Sequence, residues 1–172
     1  LSVTFEVEDS TFYNNTIDSN DYSGIVLTES SNNYIVHNVI KGNGKYGIQI
    51  LNDATKSANN TIKDNTINDN SDIAIFNHGI FTTIFNNTIK YNELDGIKIA
   101  SGGARTTIDS NNLVDNEGKA IAILANNDLI KSNTIDGDSS EIAVSILNAN
   151  SASIENNTIE GGSQGIKVQN GS

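Results

Sequence analysis

The chain has 172 residues and a formal net charge of -11, with 36% hydrophobic and 18% charged residues. It contains no cysteine, which excludes disulfides, thiolate metal sites and a cysteine nucleophile. The negative charge disfavours nucleic-acid binding, which depends mainly on lysine and arginine, and no segment approaches the roughly 20 consecutive apolar residues of a membrane span.

Two residue types dominate the composition, with 28 asparagines and 25 isoleucines. Asparagine tolerates the left-handed backbone of tight turns, and isoleucine favours strands. The chain therefore predicts many short strands separated by many turns, in one domain over residues 1–172. Residues 1–13 predict a partial first coil, in which Val3, Phe5 and Val7 alternate as strand residues.

The pattern I-x-x-N-x-I, with close variants, then recurs seven times along the chain. Its asparagines are 22 to 27 residues apart, with a mean of about 24. A period of this length is typical of solenoid proteins. The seven asparagines are Asn15, Asn38, Asn65, Asn87, Asn111, Asn133 and Asn157.

A second element, G-I-x-I with small variations, lies between these copies, and a further polar position follows each copy. The alternating apolar residues of G-I-x-I are typical of a half-buried strand. The copies occupy residues 24–27, 47–50, 72–75, 96–99, 120–123, 143–146 and 165–168. The further polar positions are Asn20, Asn43, Asn70, Asn92, Asn116 and Asp138, with Gly162 in the last copy.

Strands this short bury their apolar faces only when one period stacks on the next. The repeat therefore predicts an all-β solenoid, a parallel β-helix of about seven coils with three short strands per coil. Successive coils would be ~4.8 Å apart, so that the central asparagines form one line and can hydrogen-bond from coil to coil.

The repeats also resemble a known family. Asn14–Ile17, Asn86–Ile89 and Asn156–Ile159 read N-N-T-I, and with G-I-x-I they are similar to the right-handed parallel β-helix repeats of carbohydrate-binding and sugar-hydrolase type. Mannuronan C5-epimerases, polysaccharide lyases, phage tail spikes and surface proteins contain such repeats. The epimerase relatives carry a D-P-H catalytic motif, whereas this chain has no proline.

The resemblance implies an extracellular or cell-surface protein that associates with polysaccharide, with lyase, epimerase or hydrolase chemistry as one option. The alternative is a non-catalytic scaffold or adhesin-like repeat, and the residues leave open whether the chain is an enzyme. We also expect flanking domains or oligomer partners to cap the solenoid ends, because bare strand edges invite aggregation. The chain is then part of a longer protein.

The loops after the G-I-x-I strands vary most in length, and variable loops on a rigid scaffold often carry function. Residues at matching steps along these loops and the neighbouring strand predict one substrate-binding wall. Tyr46 and Phe81 are candidate faces for sugar stacking. The predicted wall consists of Asp53, Lys56, Asp72, His78, Lys98 and Arg105.

Two further features concern ligands and modification. Asp136, Asp138 and Glu141 form an oxygen-rich segment that predicts a possible calcium site, although the full calcium-loop pattern is absent. Asparagines also begin N-x-S/T sequons, most of which follow from the N-N-T-I repeat itself. These sequons begin at Asn14, Asn59, Asn86, Asn156 and Asn170.

Overall fold

The computed structural model describes residues 2–3, 7–51, 57–137 and 142–170, which form 22 short β-strands and no helix. Within this part of the chain, no helix is long and apolar enough to span a membrane. The strands belong to three parallel sheets.

Sheet 1 has eight strands. They are β1 (Ser2–Val3), β4 (Ile25–Thr28), β7 (Ile48–Leu51), β10 (Ile75–Asn77), β13 (Ile97–Ile99), β16 (Ile121–Ile123), β19 (Ile142–Leu147) and β22 (Gln164–Gln169).

Sheets 2 and 3 have seven strands each. Sheet 2 contains β2 (Thr11–Tyr13), β5 (Tyr34–Val36), β8 (Thr61–Lys63), β11 (Thr83–Phe85), β14 (Thr107–Asp109), β17 (Leu129–Lys131) and β20 (Ser153–Glu155). Sheet 3 contains β3 (Thr16–Asp18), β6 (Val39–Lys41), β9 (Thr66–Asn68), β12 (Thr88–Lys90), β15 (Asn112–Val114), β18 (Thr134–Asp136) and β21 (Thr158–Glu160).

Each strand pairs in parallel with the strand three places later, so the chain winds through sheets 1, 2 and 3 in every coil. Coil 1 contains β1–β3, coil 7 contains β19–β21, and β22 follows coil 7. We call the bends between sheets 1 and 2, 2 and 3, and 3 and 1 the first, second and third corners. This arrangement confirms the predicted parallel β-helix of about seven coils with three strands per coil.

The core is a set of isoleucine columns, because the central residue of each strand in sheets 2 and 3 points inward. Ile62, Ile84 and Ile108 stack in sheet 2 and are fully buried. In sheet 1, the second and fourth positions of G-I-x-I point inward instead, as Ile97 and Ile99 show. The predicted alternation is confirmed in coils 2, 3, 5 and 7 of this sheet.

In coil 4, the sheet 1 strand begins two residues later than predicted. Ile75 pairs with Ile48, so Ala74, predicted to face outward, is buried at the position of Gly47. A Cβ at Gly47 would lie 2.6 Å from Ile67 Cγ2, and only very small residues fit this crowded position. Asp72 does not fit it, which explains the shift. Ala122 is also buried, although it pairs with the outward-facing Lys98.

The shift places Asn77 at the inward position held by Ile50 in coil 3. Asn77 is fully buried, and its amide nitrogen donates to the carbonyl of Gly79 and to Oγ1 of Thr106, both at 3.0 Å. Its Oδ1 accepts the N–H of Gly79 at 3.0 Å. Since every polar atom of the side chain has a partner, the core tolerates this asparagine.

The seven predicted asparagines form an uninterrupted ladder at the second corner. Asn65 Nδ2 donates to Oδ1 of Asn87, and Asn87 Nδ2 donates to Oδ1 of Asn111, both at 3.0 Å. Each Oδ1 also accepts a backbone N–H, as Asn87 Oδ1 does from Asn65 at 2.9 Å. Each amide therefore satisfies groups of two coils, which confirms the predicted line of asparagines.

A second amide ladder runs along the third corner from Asn20 to Asn116, with Nδ2 to Oδ1 distances of 2.8 to 2.9 Å. The first corner is less regular. Asn33 and Asn60 donate from Nδ2 to the carbonyls of Val7 and Ser30 in the preceding coils, both at 2.8 Å. In the next two coils, Thr82 and Thr106 replace asparagine, and Asp128 occupies the position in coil 6.

Asp128 is a buried carboxylate in an amide position, with 1% of its surface exposed. Its Oδ1 accepts the N–H of Thr106 at 2.7 Å, but its buried Oδ2 has no hydrogen-bond partner. Burial raises the pKa of Asp128 to about 6, against an opposing effect of the Thr106 N–H. The neutral acid is therefore favoured in the folded protein well above the ordinary pKa of an aspartate.

Truncation of the central ladder residue should destabilise the fold. Asn87→Ala leaves the Asn65 amide and the Ile62 carbonyl without their partner. Each buried group left unsatisfied costs about 1–3 kcal/mol, so we expect the free energy of unfolding to fall by at least ~2 kcal/mol in urea denaturation. Asn14→Gly is the control, because Asn14 is exposed at a φ of 56° that glycine adopts freely. Equal losses in both variants would contradict the role of the ladder.

The buried acid should make stability depend on pH. Because the folded pKa of about 6 exceeds the reference value of 3.8, the native state holds the proton more tightly, and stability falls as pH rises from about 4 to above 6. The two values imply a loss of roughly 3 kcal/mol from this group. Asp128→Asn should remove that loss and raise the urea midpoint at pH 8.

The matched control is Asp21→Asn, which removes the same charge from an exposed residue at the third corner. Its urea midpoints between pH 4.5 and 8 should follow those of the wild type. If the difference in urea midpoint between Asp128→Asn and the wild type is the same at every pH in this range, Asp128 does not titrate there.

Candidate functional site

Four of the six residues of the predicted wall lie in the described part of the chain. They are Asp72, His78, Lys98 and Arg105. Asp53 and Lys56 lie outside the described residues, so nothing tests their predicted place in the wall. Among the four, His78 and Lys98 lie beside Phe76, whereas Arg105 lies over the ring of Phe81 at the first corner.

His78 lies directly after β10 on sheet 1, at the level of Leu51 and Ala100. The backbone N–H of His78 donates to the carbonyl of Ile50 at 3.0 Å, and the backbone N–H of Ala100 donates to the carbonyl of Asn77 at 2.9 Å. Equal steps along the loops predict that His78 lies level with Asp53, which is two residues beyond Leu51 in the sequence. The two-residue shift of coil 4 therefore moves the imidazole from the loop to the edge of the sheet.

The main feature around His78 is a group of three rings, Tyr46, Phe76 and His78, which we call the ring cluster. The Tyr46 and Phe76 rings have centroids 5.2 Å apart and planes 19° apart. The Phe76 and His78 centroids are 6.1 Å apart. Because the Tyr46 to Phe76 distance is close to the spacing between coils, these two rings stack along the solenoid.

Sequence reasoning missed Phe76, which pairs with Gln49 and Lys98 on the outer face of sheet 1. The signal that could have found it is the row of very small residues at the start of each sheet 1 strand. Ala74 is the residue of coil 4 that fits this row, and Phe76 then takes the outward position two residues later.

Positive charge surrounds the ring cluster on two sides. Lys98 lies next to Phe76 across the strand pair, and Lys45 Nζ lies 5.0 Å from the centroid of Tyr46. Neither lysine forms an ion pair with a carboxylate among the described residues. Burial, and then the charge of Asp72, raise the pKa of the Tyr46 hydroxyl, which keeps it a hydrogen-bond donor.

A glycine holds the imidazole of His78 in place. A Cβ at Gly102 would lie 3.1 Å from both Cδ2 and Nε2 of His78, so the loop of the next coil packs directly on the ring. A larger residue there would push against the imidazole. Gly102 is thus a second residue of the site that repeat spacing did not identify.

Arg105 lies apart from the ring cluster, at the first corner. Its guanidinium lies 5.2 Å from the centroid of Phe81, an attractive cation–π arrangement. Both residues have a positive φ, 59° and 54°, where Asn59 and Asn127 stand in neighbouring coils. Since bulky residues are disfavoured in this conformation, the backbone is locally strained at both of these exposed residues.

The two rings predicted as sugar-stacking faces therefore have partners within the protein. Tyr46 stacks on Phe76, and Phe81 lies under Arg105. The stacked rings present their edges to a ligand, and ring edges carry partial positive charge. The Tyr46 hydroxyl, the His78 imidazole and the Lys98 ammonium add hydrogen-bond donors beside them. Such groups bind hydroxyl and carboxylate oxygens.

The predicted calcium segment is mostly outside the described residues. Asp136 ends β18 on sheet 3, whereas Asp138 and Glu141 are not described. Within the ranges that the structure describes, no three His, Asp or Glu side chains are grouped to hold a metal ion. Calcium binding therefore stays a prediction.

The described strands of sheet 1 contain no aspartate or glutamate. Hydrolysis of a glycosidic bond generally requires two carboxyl groups on either side of it. Asp72 is the carboxylate whose charge reaches Tyr46. The described groups of the ring cluster are ones that bind hydroxyl and carboxylate oxygens.

Comparisons with known proteins agree with this fold. Residues 2–82 match a family model described as a right-handed beta helix region. No curated protein sequence matches the chain.

Solved structures extend the likeness over most of the chain. The A-module of the mannuronan C-5 epimerase AlgE4 of Azotobacter vinelandii superposes with a TM-score of 0.83 and 20% identity, over 96% of this chain and 52% of that one. A mutant of the periplasmic alginate epimerase AlgG has a TM-score of 0.81 and 17% identity, over 87% of this chain and 36% of that one.

The surface protein and adhesin PfbA of Streptococcus pneumoniae is more distant, with a TM-score of 0.57 and 14% identity, over 94% of this chain and 67% of that one. At these identities the likeness concerns the fold, and the chain spans between about a third and a half of the two epimerase structures. Together with the three parallel sheets, these matches show that the chain has the right-handed parallel β-helix fold.

Proposed function

We propose that the chain is a polysaccharide-binding β-helix of an extracellular or cell-surface protein, and that it binds an anionic glycan at the ring cluster on sheet 1. The observation that carries this proposal is the stack of Tyr46 and Phe76 beside His78, with Lys98 and Lys45 next to it. The two epimerase relatives are named for alginate and mannuronan, which supports a polysaccharide as the ligand.

The charge of the chain makes the position of this site informative. With a net charge of -11, most of the surface repels an anionic polymer. The described strands of sheet 1 carry lysines and no carboxylate, and Lys98 and Lys45 offset the charge of Asp72 that reaches Tyr46, so this face is locally less repulsive. A uronate carboxylate at the ring edges would meet Lys98, while sugar hydroxyls would meet Tyr46 and His78.

A second candidate function is a non-catalytic scaffold or adhesin-like spacer. The uninterrupted amide ladder at the second corner favours it, because it makes a rigid rod independent of any ligand. The relative that is named an adhesin also supports it. Binding measurements distinguish the two functions, since a spacer has no reason to discriminate between glycans.

Loss of the central ring should weaken binding. Titration calorimetry with alginate, pectate and a neutral glucan should show that Phe76→Ala binds the acidic polymers about tenfold less tightly, because the stack that positions Tyr46 is lost. Lys98→Ala should weaken the two acidic polymers by ~1–3 kcal/mol and leave any binding of the glucan unchanged. Both substitutions are on the outer face and should leave the urea midpoint nearly unchanged.

The control is Tyr91→Ala, which removes an exposed aromatic ring directly after β12 of sheet 3. Like Tyr46, this ring has a lysine over it, with Lys90 Nζ 5.3 Å from its centroid. If the wild type binds none of the three polymers, the scaffold function replaces the proposed one. If Tyr91→Ala loses as much affinity as Phe76→Ala, the attraction is diffuse and the ring cluster is not the site.

A further inference from the structure

The sequons of the repeat have structural features that the proposed glycan binding does not use. In the four sequons that the structure fully describes, the first asparagine is exposed at a corner with φ between 52° and 56°. The second asparagine belongs to a corner ladder, as buried Asn60 and Asn87 show. The repeat therefore separates one modifiable amide from one structural amide in each N-N-T.

The threonine of each sequon lies on the same outer surface as the exposed asparagine. Thr16, Thr88 and Thr158 begin strands of sheet 3, and Thr61 begins β8 of sheet 2. The residue after each threonine is the inward isoleucine, so the hydroxyl side faces outward. The acceptor amide and the hydroxyl of the sequon are thus accessible together.

The four exposed amides differ in their hydrogen bonds. Asn86 Nδ2 donates to Oδ1 of Asp64 at 2.6 Å, a short bond to a charged group. The side chains of Asn14, Asn59 and Asn156 have no such partner among the described residues. Asp64 is itself fixed, because Lys63 Nζ lies 3.5 Å and His37 Nε2 3.7 Å from its Oδ2. The Asn86 amide is therefore withheld, while the other three are available.

Two exposed rings lie where a first sugar residue would pack. Tyr13, 61% exposed, directly precedes Asn14, and Phe81, 44% exposed, occupies the corner position next to Asn59 in the following coil. Tyr13 contacts His37 edge to face and Phe81 lies under Arg105, and a sugar at the neighbouring asparagine would cover the part of each ring that is still exposed. Asn14, Asn86 and Asn156 lie at the second corner and Asn59 at the first, so all four border sheet 2.

From these observations we propose that Asn14, Asn59 and Asn156 are acceptors for N-linked glycosylation and that Asp64 suppresses modification of Asn86. The co-reactants are a lipid-diphosphate-linked oligosaccharide and an oligosaccharyltransferase. The asparagine Nδ2 forms a bond to the anomeric carbon, and the bond from that carbon to the diphosphate oxygen breaks. The lipid diphosphate leaves with the electron pair, and the amide proton passes to a carboxylate base of the transferase. This proposal does not depend on polysaccharide binding at sheet 1.

The test is site occupancy in the folded chain, treated with a purified oligosaccharyltransferase and its lipid-linked donor and measured by peptide mass spectrometry. We expect Asn14, Asn59 and Asn156 to be modified at least threefold more than Asn86. Asp64→Ser should raise the occupancy of Asn86 to the level of the others. Serine is found at the equivalent corner positions Ser110 and Ser132, so the fold should accept it.

Thr16→Val and Thr158→Val are the matched controls, and each should abolish modification at its own sequon only. Synthetic peptides of the four sequons, treated with the same enzyme, measure intrinsic acceptor quality without the fold. The proposal is overturned if the peptides are modified but the folded chain is not. It is also overturned if Asn86 matches the other sites in the wild type, or if Asp64→Ser, folded by circular dichroism, leaves Asn86 unchanged.

Discussion

The amide ladder of the second corner is the interaction on which the rest of the structure depends. A strand that bends sharply leaves backbone N–H and carbonyl groups without partners, and burying them would cost free energy. Each ladder amide supplies both partners: Asn111 Oδ1 accepts the N–H of Asn87, and Asn111 Nδ2 donates to the carbonyl of Ile84. The chain can therefore turn within two residues, and three-residue strands suffice for sheets 2 and 3.

The regular scaffold makes its exceptions easy to recognise. Coil 4 begins its sheet 1 strand two residues late, places a satisfied asparagine in the core and presents Phe76 outward. The next coils contribute Arg105 in a left-handed conformation and the buried Asp128. Because irregular positions lower stability and persist only where the surroundings hold them, the shifted strand of coil 4 supports the ring cluster, which contains Phe76, as the functional part of the rod.

Two faces of the rod, those of sheets 1 and 2, have different chemistry, although one repeat produces both of them. Sheet 1 combines the ring cluster with lysines and lacks carboxylates on its described strands. Sheet 2 combines exposed rings with ion pairs, including Lys131 Nζ at 3.4 Å from Asp109, and is bordered by the sequons. Since neighbouring side chains of one face come from successive coils, each face can change independently of the buried isoleucines between them.

The sequence by itself determined the solenoid, its coil number, the amide ladder and the buried isoleucines, because each of these follows from a residue type repeated at nearly constant spacing. It could not determine the register of coil 4 or the surroundings of His78. The segment 72–75 alternates like a strand, but only the crowding at the start of sheet 1 selects Ala74 over Asp72. The partners of His78 and Arg105 come from neighbouring coils, and equal steps along loops of unequal length do not reach equal positions. The tertiary structure alone therefore decided which side chains meet at the candidate site.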